Sequence, residues 1–476
     1  MIKGFPEKIL LANQSQLNQF NLNQFKAMNY SISQLEESFF ALATALIGQL
    51  NNAEHLTLNL SAESSQFTRF NQGKIRQTGL VSDGEITMIL QFKEQEYFAE
   101  FPFTGHLESD YAIANHHLED LRSEINQLPG NPYIVLPQDY GSSHSVYHGA
   151  LLPHESVFAA ILEPCAGLDI AGLYAGGVVI RANANSAGQR HWFATDTFSL
   201  DYSLFVETAH GQKAVKDIYA GSHWEQEVYN QQIDRSVTAL QALQLPGMTI
   251  APGQYRTYLA PAAAAELVSF LTGSVGESYL QQGNSALLKL SKGERHLSQK
   301  LTLEENFRRG SVPQFTQSGE IAPDQLTIIE QGRLINSLVS AKSGKEYEKI
   351  SNGADVNELM RAPEMHGGNL PQAEVLAHLD RGLYLSNLHY LNWSDQPNGR
   401  ITGMTRYACF WVENGQLVAP IENLRFDEVI YDALGDNLID LTTEQESMPN
   451  TDTYGRRSLG GILVPGMLID RFTFTL

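Results

Sequence analysis

The chain has 476 residues, of which 42% are hydrophobic and 18% charged, a composition that excludes bulk disorder and fibrous repeats. With 32 Lys and Arg against 53 Asp and Glu, the formal net charge is -21, so phosphate backbones and anionic lipid surfaces are repelled and neither nucleic acid nor a membrane is expected as a partner. Two widely separated cysteines, Cys165 and Cys409, rule out a disulfide framework or a Cys-rich zinc module and point to a reducing cytoplasm.

At roughly 100–200 residues per domain, the length predicts two or three domains. Residues 1–30, rich in Asn and Gln, read as a polar lead-in. The apolar run 9–12 within them is too short for a signal-peptide core, and no later run approaches the roughly 18 apolar residues of a membrane span. Ser33 and Glu36 have the spacing of a capping box, and Leu35, Phe39, Leu42, Leu46 and Leu50 recur at helical intervals behind them. Leu56, Leu58 and Leu60 alternate with polar residues as in a half-buried strand, Ile86, Met88, Leu90 and Phe92 repeat the pattern, and 97–103 returns antiparallel. Tyr111, Leu118, Leu121, Ile125 and Leu128 predict a second helix, stopped by Pro129 and Gly130. Strands follow at 178–180, 190–197 and 199–206, and a helix at about 224–243.

Pro and Gly at 246–247 and 252–253 mark a boundary, giving an N-terminal α/β domain over 31–245 with an antiparallel-rich sheet, and a second domain over 246–476. The latter opens on an Ala-rich helix begun by Pro261 and ended near Gly273. Strand-like runs at 324–330, 334–340, 383–391, 407–413 and 467–476 then predict a closed or sandwich-like sheet, β-barrel-like in form. The predicted class is α+β.

Residue chemistry offers only partial motifs. His154-Glu155 begins like a zinc-protease helix, but Phe158 and Ala159 stand where the second histidine would fall. His144 and His148 are four apart in what reads as a loop, where that spacing gives no shared face. The neighbours His116 and His117 point different ways on their helix. Gly172, Gly176 and Gly177 meet neither nucleotide-binding spacing. Cys165 and Cys409 read as small buried hydrophobes.

Three segments taken together resemble the TldD/TldE (PmbA) family of intracellular peptidase subunits. Residues 65–77, with Arg69 to Gly73 and the basic Lys74-Ile75-Arg76, are similar to its N-terminal strand pair. Asn183 to Gly188 looks like its Asn-x-x-Gly turn. Gly382-Leu383-Tyr384-Leu385 and 410–421 are similar to its C-terminal signature. The resemblance runs over about 55–476 and implies a C-terminal barrel-like domain and dimers enclosing a peptide-sized cavity.

In zinc-bearing members a His-Glu-x-x-x-His helix and a cysteine near the C-terminus supply the ligands. By that likeness Ser269 and Ser274 stand at the histidines, Phe270 at the glutamate and Tyr454 at the cysteine. Hydroxyls and a phenol do not hold zinc tightly, and without the glutamate no base polarises a water. The resemblance therefore implies the TldE (PmbA) type, with no cofactor, no metal and no catalytic residue of its own, paired with itself or with a zinc-bearing TldD-type subunit. Thr402 to Arg406 departs from the family's usual Gly-Asp-Phe-Ser-like run, which allows for a divergent paralogue. Arg400, Thr402, Thr405, Arg406 and Tyr407 form a candidate peptide groove by strand addition. Two other functions stay open: a peptidase using a site of its own, for instance a metal at His144, His148 or His154, and a homodimeric peptide binder without proteolysis.

Overall fold

A computed structural model describes residues 30–209 and 211–475, so the expected lead-in lies outside the described residues except at Tyr30. The first helix, α1 (Ile32–Ile47), starts on Ser31 rather than Ser33. Ser31 Oγ accepts from the Gln34 amide at 3.3 Å while Gln34 Oε1 accepts from the Ser31 amide at 2.8 Å, a reciprocal capping box two residues ahead of the expected one. Leu35, Phe39, Leu42 and Leu46 form its buried stripe as expected, whereas Leu50 falls beyond the helix end at Gly48.

The first half of the chain then supplies β1 (Glu54–Asn71), β2 (Lys74–Phe92), β3 (Gln95–Pro102), α2 (Leu107–Glu124), β4 (Ser143–Tyr147), α3 (Val157–Leu162), β5 (Asp169–Asn185), β6 (Arg190–Thr208), β7 (Gly211–Gly221) and α4 (Gln226–Ala242). The sheet order is β3-β2-β1-β5-β6-β4, and β7 also pairs with β6. Every pairing is antiparallel except β4 with β6. β1 and β2 turn on Gln72 and Gly73, with φ of 54° and 63°, the left-handed pair that a two-residue hairpin requires.

Alternation sets the two faces. Leu56, Leu58, Leu60, Ile86, Met88 and Leu90 bury one side of the sheet under α1 and α2. Farther along, Tyr174, Leu200, Tyr202 and Leu204 pack with Tyr229 and Ile233 of α4. Gly172, Gly176 and Gly177 lie inside β5, not in a loop. A Cβ on Gly172 would come within 2.5 Å of the Asp201 carbonyl of β6, so that glycine serves close strand approach.

Thirteen strands of the second half form a separate sheet, entered through β8 (Gly253–Leu259) and covered by α5 (Pro261–Thr272), with Pro261 in its first turn and Gly273 as its cap. The expected barrel is not formed. The main path runs from strand Arg333–Leu334 to strand Gln416–Pro420 without its ends meeting, and four further strands branch off. The reason lies in the last strand, Gly461–Phe474, which changes partners along its length. It pairs with strand Leu438–Pro449 and then with Phe426 on one edge, and with Glu364 and then β8 on the other. A strand shared in this way splits the sheet into branches instead of closing it. Ala263, Ala264, Leu267, Val268 and Leu271 of α5 join Leu383, Leu385, Ile401, Met467 and Ile469 in the core.

Several strand boundaries also shift. The expected strand 383–391 is two strands, Gly382–Leu385 and Asn387–Asp395, and only Arg333–Leu334 forms where 334–340 was expected. No helix among the described residues is long and apolar enough to cross a membrane.

Candidate functional site

A cavity of about 1020 Å³ lies between the two sheets. Its floor comes from the first sheet: Asn59 and Ser61 of β1, Arg181 of β5, Asp201 of β6 and Lys216 of β7. One wall is the solvent side of α5, where Ala262, Glu266, Ser269 and Thr272 recur at helical spacing. The rest is built by Val312 to Gln317, Arg361 and residues 448–451 and 458–462.

The loop between the last two strands is held against the first sheet by two arginines. Arg456 pairs with Asp83 at 2.9 Å and Glu85 at 3.3 Å. Arg457, 5% exposed, donates to the Gly177 carbonyl at 3.1 Å and to the Thr197 carbonyl and hydroxyl at 2.9 and 2.7 Å. Arg361 fastens the opposite lip, donating to the carbonyls of Pro313, Gln314, Phe315 and Gly353.

Charge in the cleft is mixed. Lys216 Nζ lies 2.6 and 2.8 Å from the two oxygens of Asp201. Burial raises the pKa of Glu266, and the nearby Lys216 opposes that rise. Burial also pulls Arg181 down to about 10, with Arg456 adding to the effect and Glu63 opposing it. Two amide atoms of the lining residues, Asn59 Nδ2 and Asn387 Oδ1, are closed to solvent and have no hydrogen-bond partner among the described residues. The site can therefore hold a mixed-charge, hydrogen-bonding ligand.

The sequence of the second half matches a known family over the wall-forming helix and the whole second sheet. Residues 252–476 match the PmbA/TldA metallopeptidase C-terminal domain. No curated protein matches the chain. Solved structures similar to it are TldE from Thermococcus kodakarensis (TM-score 0.74, 13% identity, 93% of this chain and 100% of that one) and a protein named as a modulator of a DNA gyrase from Thermotoga maritima MSB8 (TM-score 0.73, 14% identity, 94% and 100%). A third, named as a modulator of DNA gyrase, is from Bacteroides thetaiotaomicron VPI-5482 (TM-score 0.73, 14% identity, 92% and 98%). At these identities the likeness is one of fold.

Within the matched residues the four positions singled out for zinc are not gathered into a site. Ser269 lines the cleft, its hydroxyl donating to the Glu266 carbonyl at 2.6 Å. Phe270 packs edge-on against Trp393, with ring centroids 4.7 Å apart. Ser274 is buried beyond the helix end and donates to the Phe270 carbonyl at 2.7 Å. Tyr454 is 96% exposed. Among the described residues no imidazole or thiol lines the cleft, so the donors present there do not fit zinc.

The candidate groove residues lie elsewhere. Strand Arg400–Arg406 is paired on both sides, with strands Asn387–Asp395 and Arg425–Val429, so it has no free edge to take a peptide strand. Thr402 and Thr405 are committed to the Phe426 carbonyl and the Leu424 amide, and Arg406 stacks over Tyr407 at 5.2 Å. The three histidines weighed as metal ligands go to separate partners: His144 to Glu36, His148 to Asp196 and His154 to Gln66. Both cysteines are buried. Sequence reasoning missed Arg181, Asp201, Lys216, Glu266, Arg361 and Arg457. They come from six separate segments with no shared motif, and only the Arg456-Arg457 doublet stands out in the sequence.

Proposed function

We propose that the chain is a non-catalytic subunit or paralogue in a cytoplasmic metallopeptidase assembly of the TldD/PmbA type, that its inter-sheet cleft holds peptide, and that it acts in a dimer with itself or with a zinc-bearing TldD-type chain. The observation that carries this reading is the make-up of the cleft: the helix expected to bear a metal presents Glu266, Ser269 and Thr272, and no imidazole or thiol joins them. A charged pair, Asp201 with Lys216, supplies what peptide termini bind. The known relatives by fold include a protein named TldE, which accords with this subtype.

The test is to mix the purified chain with fluorescent peptides of 8–20 residues, a range set by the order of 3.3 Å per extended residue, and follow anisotropy and fragment masses with and without chelator. Binding without cleavage, weakened in Lys216→Met, is expected. Chelator-sensitive cleavage would overturn the proposal. Cleavage that survives chelator and disappears in Glu266→Gln would make the chain a peptidase with its own acid–base site.

A further inference from the structure

Away from the cleft, Glu304 of strand Leu303–Asn306 stands directly opposite Glu364 of strand Pro363–Met365, so both carboxylates project from one face. His366, two residues beyond Glu364, brings its Nε2 to 3.5 Å from Glu304 Oε1. One ligand atom from each of Glu304, Glu364 and His366 lies within 4.8 Å of the others, so a modest turn of the side chains brings all three onto one central ion at bonds of about 2.0–2.2 Å.

Charge balance gives the independent argument. Glu304 is 6% exposed, and its one ion-pair contact among the described residues is the His366 ring. Gln325 donates to its Oε1 at 3.1 Å, while its Oε2 accepts no hydrogen bond among the described residues. Glu364 accepts from Asn306 Nδ2 at 2.9 Å and feels Arg309, a guanidinium it shares with Glu305. Two carboxylates thus oppose each other across a strand pair, one of them on a buried residue. Opposed like charges destabilise a strand pair, and buried charges are paired or coordinate metals.

We propose that Glu304, Glu364 and His366 form a binding site for a divalent transition cation. Two carboxylate oxygens and an imidazole nitrogen suit Zn²⁺ with a fourth position for water, and the imidazole selects against Mg²⁺ and Ca²⁺. Asn306 and Gln325 orient the carboxylates from behind. None of the three lines the cleft, where Pro363 forms part of the wall and strand alternation turns Glu364 to the other face. The bound ion would tie the two strands together, whatever the cleft does.

The test titrates the chelator-stripped full chain with ZnCl₂ by calorimetry, with metal counted by plasma mass spectrometry. Wild type should hold about one zinc per chain, and His366→Ala and Glu304→Gln should each weaken binding at least about tenfold. Zinc should raise the Tm of wild type and not that of His366→Ala. His366 is half-exposed, so its variant should match the metal-free wild type in Tm and remain a fair comparison. Zinc binding unchanged in both variants, or absent from wild type at micromolar zinc, would overturn the site.

Discussion

Arg457 gives both terminal nitrogens to acceptors on the first sheet and sits nine-tenths buried. Its burial lowers its pKa, with Glu63 and Tyr174 opposing, yet a guanidinium keeps its charge at any working pH. Arg457→Met preserves length and removes three donor contacts, leaving buried acceptors short of partners. The expected loss is about 2–3 kcal/mol in urea unfolding, with Arg457→Lys in between because one ammonium cannot span the same acceptors. A midpoint unchanged in Arg457→Met would show that the loop does not depend on this anchor. The side chains of the cleft share this character: Asp201 and Lys216 meet only because β6 and β7 run side by side.

Among the elements, α1 separates what periodicity shows from what it leaves open. The apolar stripe identifies the helix, but Ser31-Gln34 and Ser33-Glu36 have equal spacing and both begin with serine. Backbone geometry decides, since Ser31 is extended at φ -66° and ψ 160° while Ser33 is already helical. Ser31→Ala should therefore cost about 1 kcal/mol, read as a lower Tm, and Ser33→Ala should stay within about 0.5 kcal/mol. Equal effects from the two would refute the assignment. The second sheet carries the same lesson on a larger element: several of its strands are visible in sequence, but the partner exchange along Gly461–Phe474 that opens the barrel is not.

For the whole molecule, pH tests the burial of acids. Burial is the largest cause raising the pKa of Asp217, Glu305, Glu320, Glu428 and Glu446. A raised folded-state pKa means tighter proton binding in the fold, so that stabilisation is fully present below the unfolded value and is lost as pH rises through the folded one. The charge of -21 adds self-repulsion that also eases on acidification. Glu54 and Asp440 act oppositely: burial would raise them, but hydrogen bonds and the charges of Arg122 and Lys300 outweigh it and lower both. Their contribution is lost only as pH falls through those lowered values. Tm should thus climb as pH falls from neutral toward the ordinary carboxylate range and drop again once pH passes through the lowered values of Glu54 and Asp440; a scan that is flat or declines on going down from neutral toward that range would refute the balance. The sequence by itself determined the α+β class, the first sheet's alternation, the Pro261 helix and the likeness to the TldD/PmbA family, because periods of 2 and 3.6 and turn residues act over a few neighbours. Tertiary structure alone decided that the second sheet stays open, that Arg400–Arg406 has no free edge, and that Arg181, Asp201, Lys216 and Glu266 share a cleft, because those depend on pairings between segments up to hundreds of residues apart that no local pattern encodes.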